Sequence, residues 1–351
     1  MADTCWTNRR CARLALTLTF VAGPLIGVPE FAAAQTVRDV FQKVAPSVVV
    51  IRATGRDVTS GGQTRFSETG SGVLVSQDGQ VMTAAHVVHA MDEIKVEFLR
   101  GETVPARVVS SEPAADLSLL QLERVPSGSK VAPMADSSTV QVGDDVIIVG
   151  APYGLSHSLS VGHISARWPP NTVYRSMPLA EFFQTDAVIN TGNSGGPMFN
   201  MKGEVIGIVS HNISKSGGSE GLGFVVTLNT AKQLLLEKRS FWSGLEGFIL
   251  TNEQADFLNL PAKASGYIVK TVAKGSPGEA IGLRGSTMLV HIAGQEVPLG
   301  GDIVLSVDGI GVDTANISMI RDRMNRLQAG SPFKVTILRA GQVLELTGKA
   351  P

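Results

Sequence analysis

The sequence predicts a mainly β protein, built from many short strands with helix confined to a few segments. Three observations carry this expectation. Apolar residues make up 43% of the 351 residues, enough for a large core. There are 38 glycines against 5% aromatics, a balance that suits short strands joined by tight turns. The apolar runs themselves are brief, alternating or continuous, and bounded by turn residues.

In chain order, residues 48–51, 72–75, 94–98, 117–122 and 146–149 read as strands, and a second set follows at 157–166, 205–209 and 223–227. Residues 229–238 have helical spacing, with Asn229 as the expected cap. Two stretches break the pattern: 54–69 is rich in Gly, Ser and Thr, and 167–181 contains Pro169, Pro170 and Pro178. Both read as surface loops. Further on, 315–327 has helical spacing and 333–338 and 342–347 read as closing strands.

The most informative motif is Gly192-Asn193-Ser194-Gly195-Gly196-Pro197, a serine held between glycines on a tight turn. Glycine tolerates φ > 0 there, so the amides around the serine can converge on one point as an oxyanion hole, formed from Gly192, Asn193 and Ser194. A serine hydroxyl needs a base. Thr83-Ala84-Ala85-His86-Val87-Val88 supplies a histidine, and Ala115-Asp116-Leu117 supplies a carboxylate inside an apolar run. The order His86, Asp116, Ser194 is that of chymotrypsin-type barrels rather than subtilisin or α/β-hydrolases. In this reading Asp116 fixes the tautomer of His86, which takes the proton from Ser194.

With Gly70-Ser71-Gly72-Val73-Leu74-Val75 and the segment from Gln184 to Pro197, these motifs resemble the HtrA/Deg family of periplasmic serine endoproteases. The resemblance continues through Gly203-Glu204-Val205-Ile206-Gly207-Ile208 and Gly221-Leu222-Gly223-Phe224. It implies a chymotrypsin-like double antiparallel β-barrel over residues 35–240, with the site between the barrels. Loops at 54–69 and 167–181 would take part in assembly and switching. Val188 stands where trypsin-like enzymes place an aspartate, so a basic P1 side chain would lack a counter-charge. By the same resemblance Ile189 and Ile213 would line that pocket, giving an apolar P1 preference. Asn193 is neutral and cannot pair with a newly cut N-terminus, so ordering of neighbouring loops would replace activation by cleavage.

Residues 244–351 resemble a PDZ domain, on Gly266-Tyr267-Ile268-Val269, Gly275-Ser276-Pro277-Gly278-Glu279-Ala280-Ile281-Gly282-Leu283 and Gly300-Gly301-Asp302-Ile303-Val304. Such a domain, an α+β unit, would take peptide C-termini by strand addition along Gly247, Phe248, Ile249 and Leu250. Glu246 stands where related domains carry an aliphatic residue. Segment 286–299 lengthens the ordinary link, without an assigned role. Residues 40–44 resemble the segment that packs homotrimers or larger homo-oligomers in relatives, and equally fit a barrel-capping helix.

Residues 1–34 read as an export signal: Arg9, Arg10 and Arg13 precede an apolar stretch at 14–28, and Ala32-Ala33-Ala34 offers a cleavage site after Ala34. The alternative is an uncleaved anchor, against which Gly23 and Pro24 interrupt the stretch and leave it short for a span; no stable membrane span is expected after cleavage. Cys5 and Cys11 both lie in this signal, which leaves a thiol-free mature chain in the periplasm. A formal net charge of -1 gives no field for nucleic acid. His89, His157, His163, His211 and His291 show no ligand spacing, so no metal or cofactor is expected. The expected activity is ATP-independent cleavage of unfolded polypeptides, with a client-holding chaperone or a narrowly specific regulatory protease as alternatives.

Overall fold

The computed structural model describes residues 36–260, 265–292 and 295–350; the expected export signal, with Cys5 and Cys11, lies outside them. Among the described residues, no helix is long and apolar enough to cross a membrane. Six strands, β1 (Val48–Thr59), β2 (Gly62–Leu74), β3 (Gln80–Thr83), β4 (Glu93–Glu97), β5 (Thr103–Glu112) and β6 (Leu117–Leu122), close a first barrel in the order β1-β2-β3-β6-β5-β4. A second closes from β7 (Asp145–Gly150), β8 (Ser158–Trp168), β9 (Phe182–Thr185), β10 (Pro197–Asn200), β11 (Val205–Asn212) and β12 (Gly223–Thr227), in the order β7-β8-β9-β12-β11-β10. The two barrels therefore share one topology, a repeat that no sequence period reveals.

Each barrel has its own interior, with Ile51, Leu74, Val96 and Leu120 in the first and Ile148, Phe183 and Val209 in the second. A third cluster, including Val48, Val73, Leu117, Ile147, Phe182 and Phe199, joins residues of both. Strands buried on two sides read as continuous apolar runs. In β6, five of the six residues are buried, and each fully buried aliphatic side chain contributes ~1.5–3 kcal/mol. Helix α1 (Val37–Val44) lays Val40 and Val44, one turn apart, onto the joint cluster, and Thr36 with Asp39 forms its capping box.

Two expectations are corrected. Residues 54–69 are not a loop: β1 and β2 pair from Val48↔Val73 to Thr59↔Gly62 as one long ribbon. Its polar side chains bind a neighbouring sheet instead of a core. Arg56 donates to the Val272 carbonyl at 3.1 Å, Gln63 to the Ser286 carbonyl at 2.9 Å, and Lys270 pairs with Asp57 at 2.7 Å. Nor does Asn229 cap the helix after β12. Thr227 occupies that position, and the Asn229 side chain instead accepts from the Ser137 amide and donates to Asp136, stapling the loop before β7.

The neighbouring sheet runs β13 (Leu245–Ile249), β14 (Tyr267–Val272), β17 (Ile303–Val307), β19 (Pro332–Arg339), β20 (Gln342–Lys349), with β18 (Ile310–Gly311) on β17. Segment 286–299 forms a separate hairpin, β15 (Met288–Ile292) with β16 (Gln295–Leu299). The helix expected at 315–327 spans Ile317–Asn325.

Asp302 is fully buried and is held by a two-pronged pair with Arg339, both contacts at 2.7 Å, and by the Arg284 amide at 2.8 Å. Removing one partner of a buried pair strands the other's charge. Arg339→Met should cost about 3 kcal/mol of the stability of the C-terminal sheet, read as a lower denaturation midpoint. An unchanged midpoint would show that the pair contributes nothing.

Candidate active site

Three local structures converge where the barrels meet. After β3 the chain makes a single helical turn, Ala85–Val88, which carries His86. After β5, Glu112 caps a tight turn, Pro113–Ala115, that ends on Asp116 in the left-handed region at φ 54°. Aspartate tolerates that conformation better than most residues. Ser194 sits between Gly192, at φ 100°, and Gly195, at φ 80°. Neither glycine can be replaced: a Cβ on Gly192 would lie 2.1 Å from the Ala151 carbonyl oxygen, and one on Gly195 2.1 Å from Thr83 Oγ1.

His86 Nδ1 lies 2.9 and 3.0 Å from the two Asp116 oxygens, and the His86 amide donates to the same carboxylate at 3.1 Å. Ser210 Oγ makes a very short hydrogen bond to Asp116 Oδ2. Burial works to raise the Asp116 pKa, but the donors from His86 and Ser210 overcome it and hold the carboxylate below its ordinary range. Burial likewise opposes the imidazolium of His86, yet the Asp116 hydrogen bond and charge prevail and raise its pKa.

Ser194 is not yet turned to His86. Its hydroxyl donates to the Ser210 carbonyl at 3.2 Å. In ligand-free sites a nucleophile–base hydrogen bond is often formed only once substrate is bound. Among the described residues, the Gly192 and Ser194 amides donate to no protein acceptor, whereas the Asn193 amide donates to the Asn190 carbonyl at 3.0 Å. Asn193 therefore drops out of the expected oxyanion set, which reduces to Gly192 and Ser194. Its side chain is buried and reaches the Val188 carbonyl.

Of the expected pocket residues, Val188 and Ile213 are 49% and 43% exposed, but Ile189 is buried in the second barrel. Gly223 lies against it and would meet its Cδ1 at 2.6 Å with a Cβ. Ile189 thus supports the loop from beneath rather than facing a substrate. Two further residues organise the site. Ser71, fully buried on β2, donates to the Gly192 carbonyl at 2.7 Å and accepts from the Ala151 amide at 2.9 Å, and its own amide binds the Ser194 carbonyl at 2.8 Å. The first barrel thereby holds the nucleophile loop of the second. The only sequence signal was the pair of glycines around Ser71, which let β2 approach: a Cβ on Gly70 would lie 3.0 Å from the Ser194 carbonyl oxygen. Ser210, the other, carried no signal.

A model of the trypsin-like peptidase domain matches residues 70–208. A probable periplasmic serine endoprotease DegP-like of Halomonas elongata is 33% identical over 286 residues, covering 79% of this chain and 55% of the relative. One of the same description from Chlamydia trachomatis is 32% identical over 292 residues, covering 81% and 54%. Among solved structures, HtrA-type protease AlgW with decapeptide aligns at TM-score 0.52 and 27% identity, covering 90% of this chain and 98% of that one. The chain belongs to the HtrA/Deg family. It spans about half the length of the curated relatives it matches. Within that family frame, the double barrel and the meeting of His86 with Asp116 match the sequence expectation as geometry.

A base must be neutral to take a proton, so a raised His86 pKa places the acid limb of activity above the ordinary histidine value of 6.5. Cleavage rate should fall as pH drops through that midpoint. Asp116→Asn should lower the limb and cut turnover by a factor on the order of 10⁴, as in the trypsin case. A limb that stays in place in the variant would show that the carboxylate does not tune the base.

Proposed function

We propose that this chain is an ATP-independent serine endopeptidase of the cell envelope, acting on unfolded or misfolded polypeptides. The observation that supports it best is the paired His86 and Asp116 beside a serine whose own amide, like that of Gly192, has no protein acceptor among the described residues. Ser194 would attack the substrate carbonyl while His86 Nε2 accepts its proton, and the amides of Gly192 and Ser194 would hold the developing oxyanion. His86 would then protonate the departing amine, and water would release the acyl group by the reverse sequence. Asp116 stays ionised and keeps Nδ1–H in place. Substrate would lie extended along the edge near Ser210 and His211, which only unfolded segments can do, with an apolar side chain near Val188 and Ile213. Export to the periplasm follows from the expected signal and from the names of the relatives.

We further infer that residues 244–351 form a PDZ domain with regulatory use, the protease unit being residues 35–240. β13 is the edge strand of its sheet and the helix Ile317–Asn325 flanks a cavity of about 470 Å³ beside it. Leu245, Gly247, Tyr267, Ile320 and Met324 line this groove. Of the strand residues expected there, Gly247 lines the cavity, while Leu250 is buried and Phe248 packs with it in the cluster that includes hairpin residue Val297. Glu246 lines the groove as well, and its carboxylate accepts from Thr271 Oγ1 at 3.2 Å and lies 3.8 Å from Lys270 Nζ. The far wall is made by barrel residues Ser111, Glu112 and Pro113. That shared wall, together with the resting Ser194, favours a ligand-controlled protease over a plain client-holding chaperone.

Wild type should cleave casein, and Ser194→Ala should leave no more than trace cleavage with its fold intact. Persistent cleavage in the variant would remove Ser194 as nucleophile. Peptides with free apolar C-termini should bind about tenfold or more tightly than their amidated forms, because a carboxylate on loop amides makes charge-assisted bonds. Equal affinity by calorimetry would exclude carboxylate capture.

A further inference from the structure

His211 follows Ser210 on β11 and occupies an aromatic box. Its ring meets Tyr174 edge-on at 4.1 Å and Phe182 at 5.6 Å, and stacks on Phe224 at 5.4 Å. Its Nδ1 lies 2.9 Å from Ser210 Oγ, while Nε2 is buried with no partner among the described residues. Proton accounting settles the direction of these bonds. An ionised Asp116 can only accept, so the single hydroxyl proton of Ser210 goes to Asp116 Oδ2. His211 Nδ1 must then donate to Ser210 Oγ, which fixes the Nδ1–H tautomer and leaves Nε2 a bare acceptor.

An orphaned buried polar atom is a stability cost that calls for an explanation. Phenylalanine would fill the same box without one. Protonating Nε2 is no remedy: burial pushes this imidazole down to about 4, the Asp116 charge works against that fall and the neighbouring His86 works with it. Tyr174 is the other titratable group facing the ring, and its own pKa is raised by burial. His211 is therefore a neutral donor across the pH range in which His86 titrates.

We propose that His211 is a positioning residue for the catalytic carboxylate: its Nδ1–H pins the Ser210 hydroxyl, and that hydroxyl pins Asp116. The proposal rests on the triad reading above. A hydroxyl that both receives and gives a hydrogen bond is a stronger donor than one that only gives. Without His211 the Ser210 hydroxyl is free to rotate away, Asp116 carries more unshared charge, and the His86 imidazolium is stabilised further.

Two substitutions separate the donor from the packing. Asparagine places Nδ2 at the same bond separation from the backbone as His Nδ1, so His211→Asn keeps the donor and loses most of the ring. His211→Phe keeps the ring and loses the donor. With a fluorogenic peptide carrying an apolar P1 residue, His211→Phe should keep or raise the denaturation midpoint yet lower kcat about tenfold, the scale of one lost hydrogen bond. Its acid limb should move to higher pH. His211→Asn should show a lower midpoint but near wild-type kcat and an unmoved limb. Wild-type kcat and limb in His211→Phe, an equal fall in both variants, or a change confined to KM would each overturn the proposal. Ser194→Ala, run alongside, isolates the premise: cleavage by that variant defeats the triad itself, whereas its silence with a fully active His211→Phe defeats only the role of His211.

Discussion

The Asp116 carboxylate is the constraint on which the rest of the site depends. It belongs to the first barrel, yet it accepts from the ring and amide of His86 on its own barrel and from Ser210 on the second. Burying a charge without such donors would cost several kcal/mol. The barrels must therefore meet at one register for Asp116 to stay ionised. Ser71 repeats the logic in the other direction, reaching from the first barrel to the Gly192 carbonyl and to the Ala151 amide. Two buried polar residues, Asp116 satisfied in part and the Ser71 hydroxyl wholly across the interface, fix how two apolar surfaces sit together. Hydrophobic contact alone is not directional.

The same physics explains what could be read from the sequence. Continuous apolar runs located strands such as β6 and β12, which are buried on both faces, and these match their expected limits, 117–122 and 223–227. His86, Asp116 and Ser194 were visible because each carries a chemistry that its neighbours do not. The β1–β2 ribbon was misread because its stability comes from backbone pairing and from polar contacts to another sheet, neither of which leaves an apolar period. Asn229 was misread for a related reason: a side chain with cap chemistry was taken up by Ser137 and Asp136, distant in sequence. Ser210 and His211 were illegible because an ordinary serine and a lone histidine acquire meaning only through what lies opposite them.

The first barrel carries His86 and Asp116 on segments whose other ends touch the C-terminal sheet or its helix. His86 points to the site, and three residues later His89 donates through Nε2 to the Leu245 carbonyl at the start of β13, while Trp242 donates to the His89 carbonyl. Asp116 ends a turn that begins at Glu112, and Glu112 faces Arg321 at 3.8 Å and Ser240 at 3.2 Å. A carbonyl can only accept, so His89 Nε2 holds a proton, and in the neutral ring Nδ1 accepts from Ser111. Burial pushes His89 down to about 4, which keeps it neutral over the working range.

That arrangement would give the proposed ligand control a physical route without N-terminal cleavage. A ligand in the groove beside β13 would meet the strand whose first carbonyl His89 holds and the helix that presents Arg321 to Glu112. It can shift the site only to the extent that it binds two arrangements of these contacts unequally. His89 is three residues from His86 and Glu112 four from Asp116, so a displacement of the sheet would reach the segments that carry both. Asn193, neutral and buried against the Val188 carbonyl, offers no charge for a new terminus to capture. Ser71 gives the first barrel, which the C-terminal sheet touches, a direct hold on the loop around Ser194.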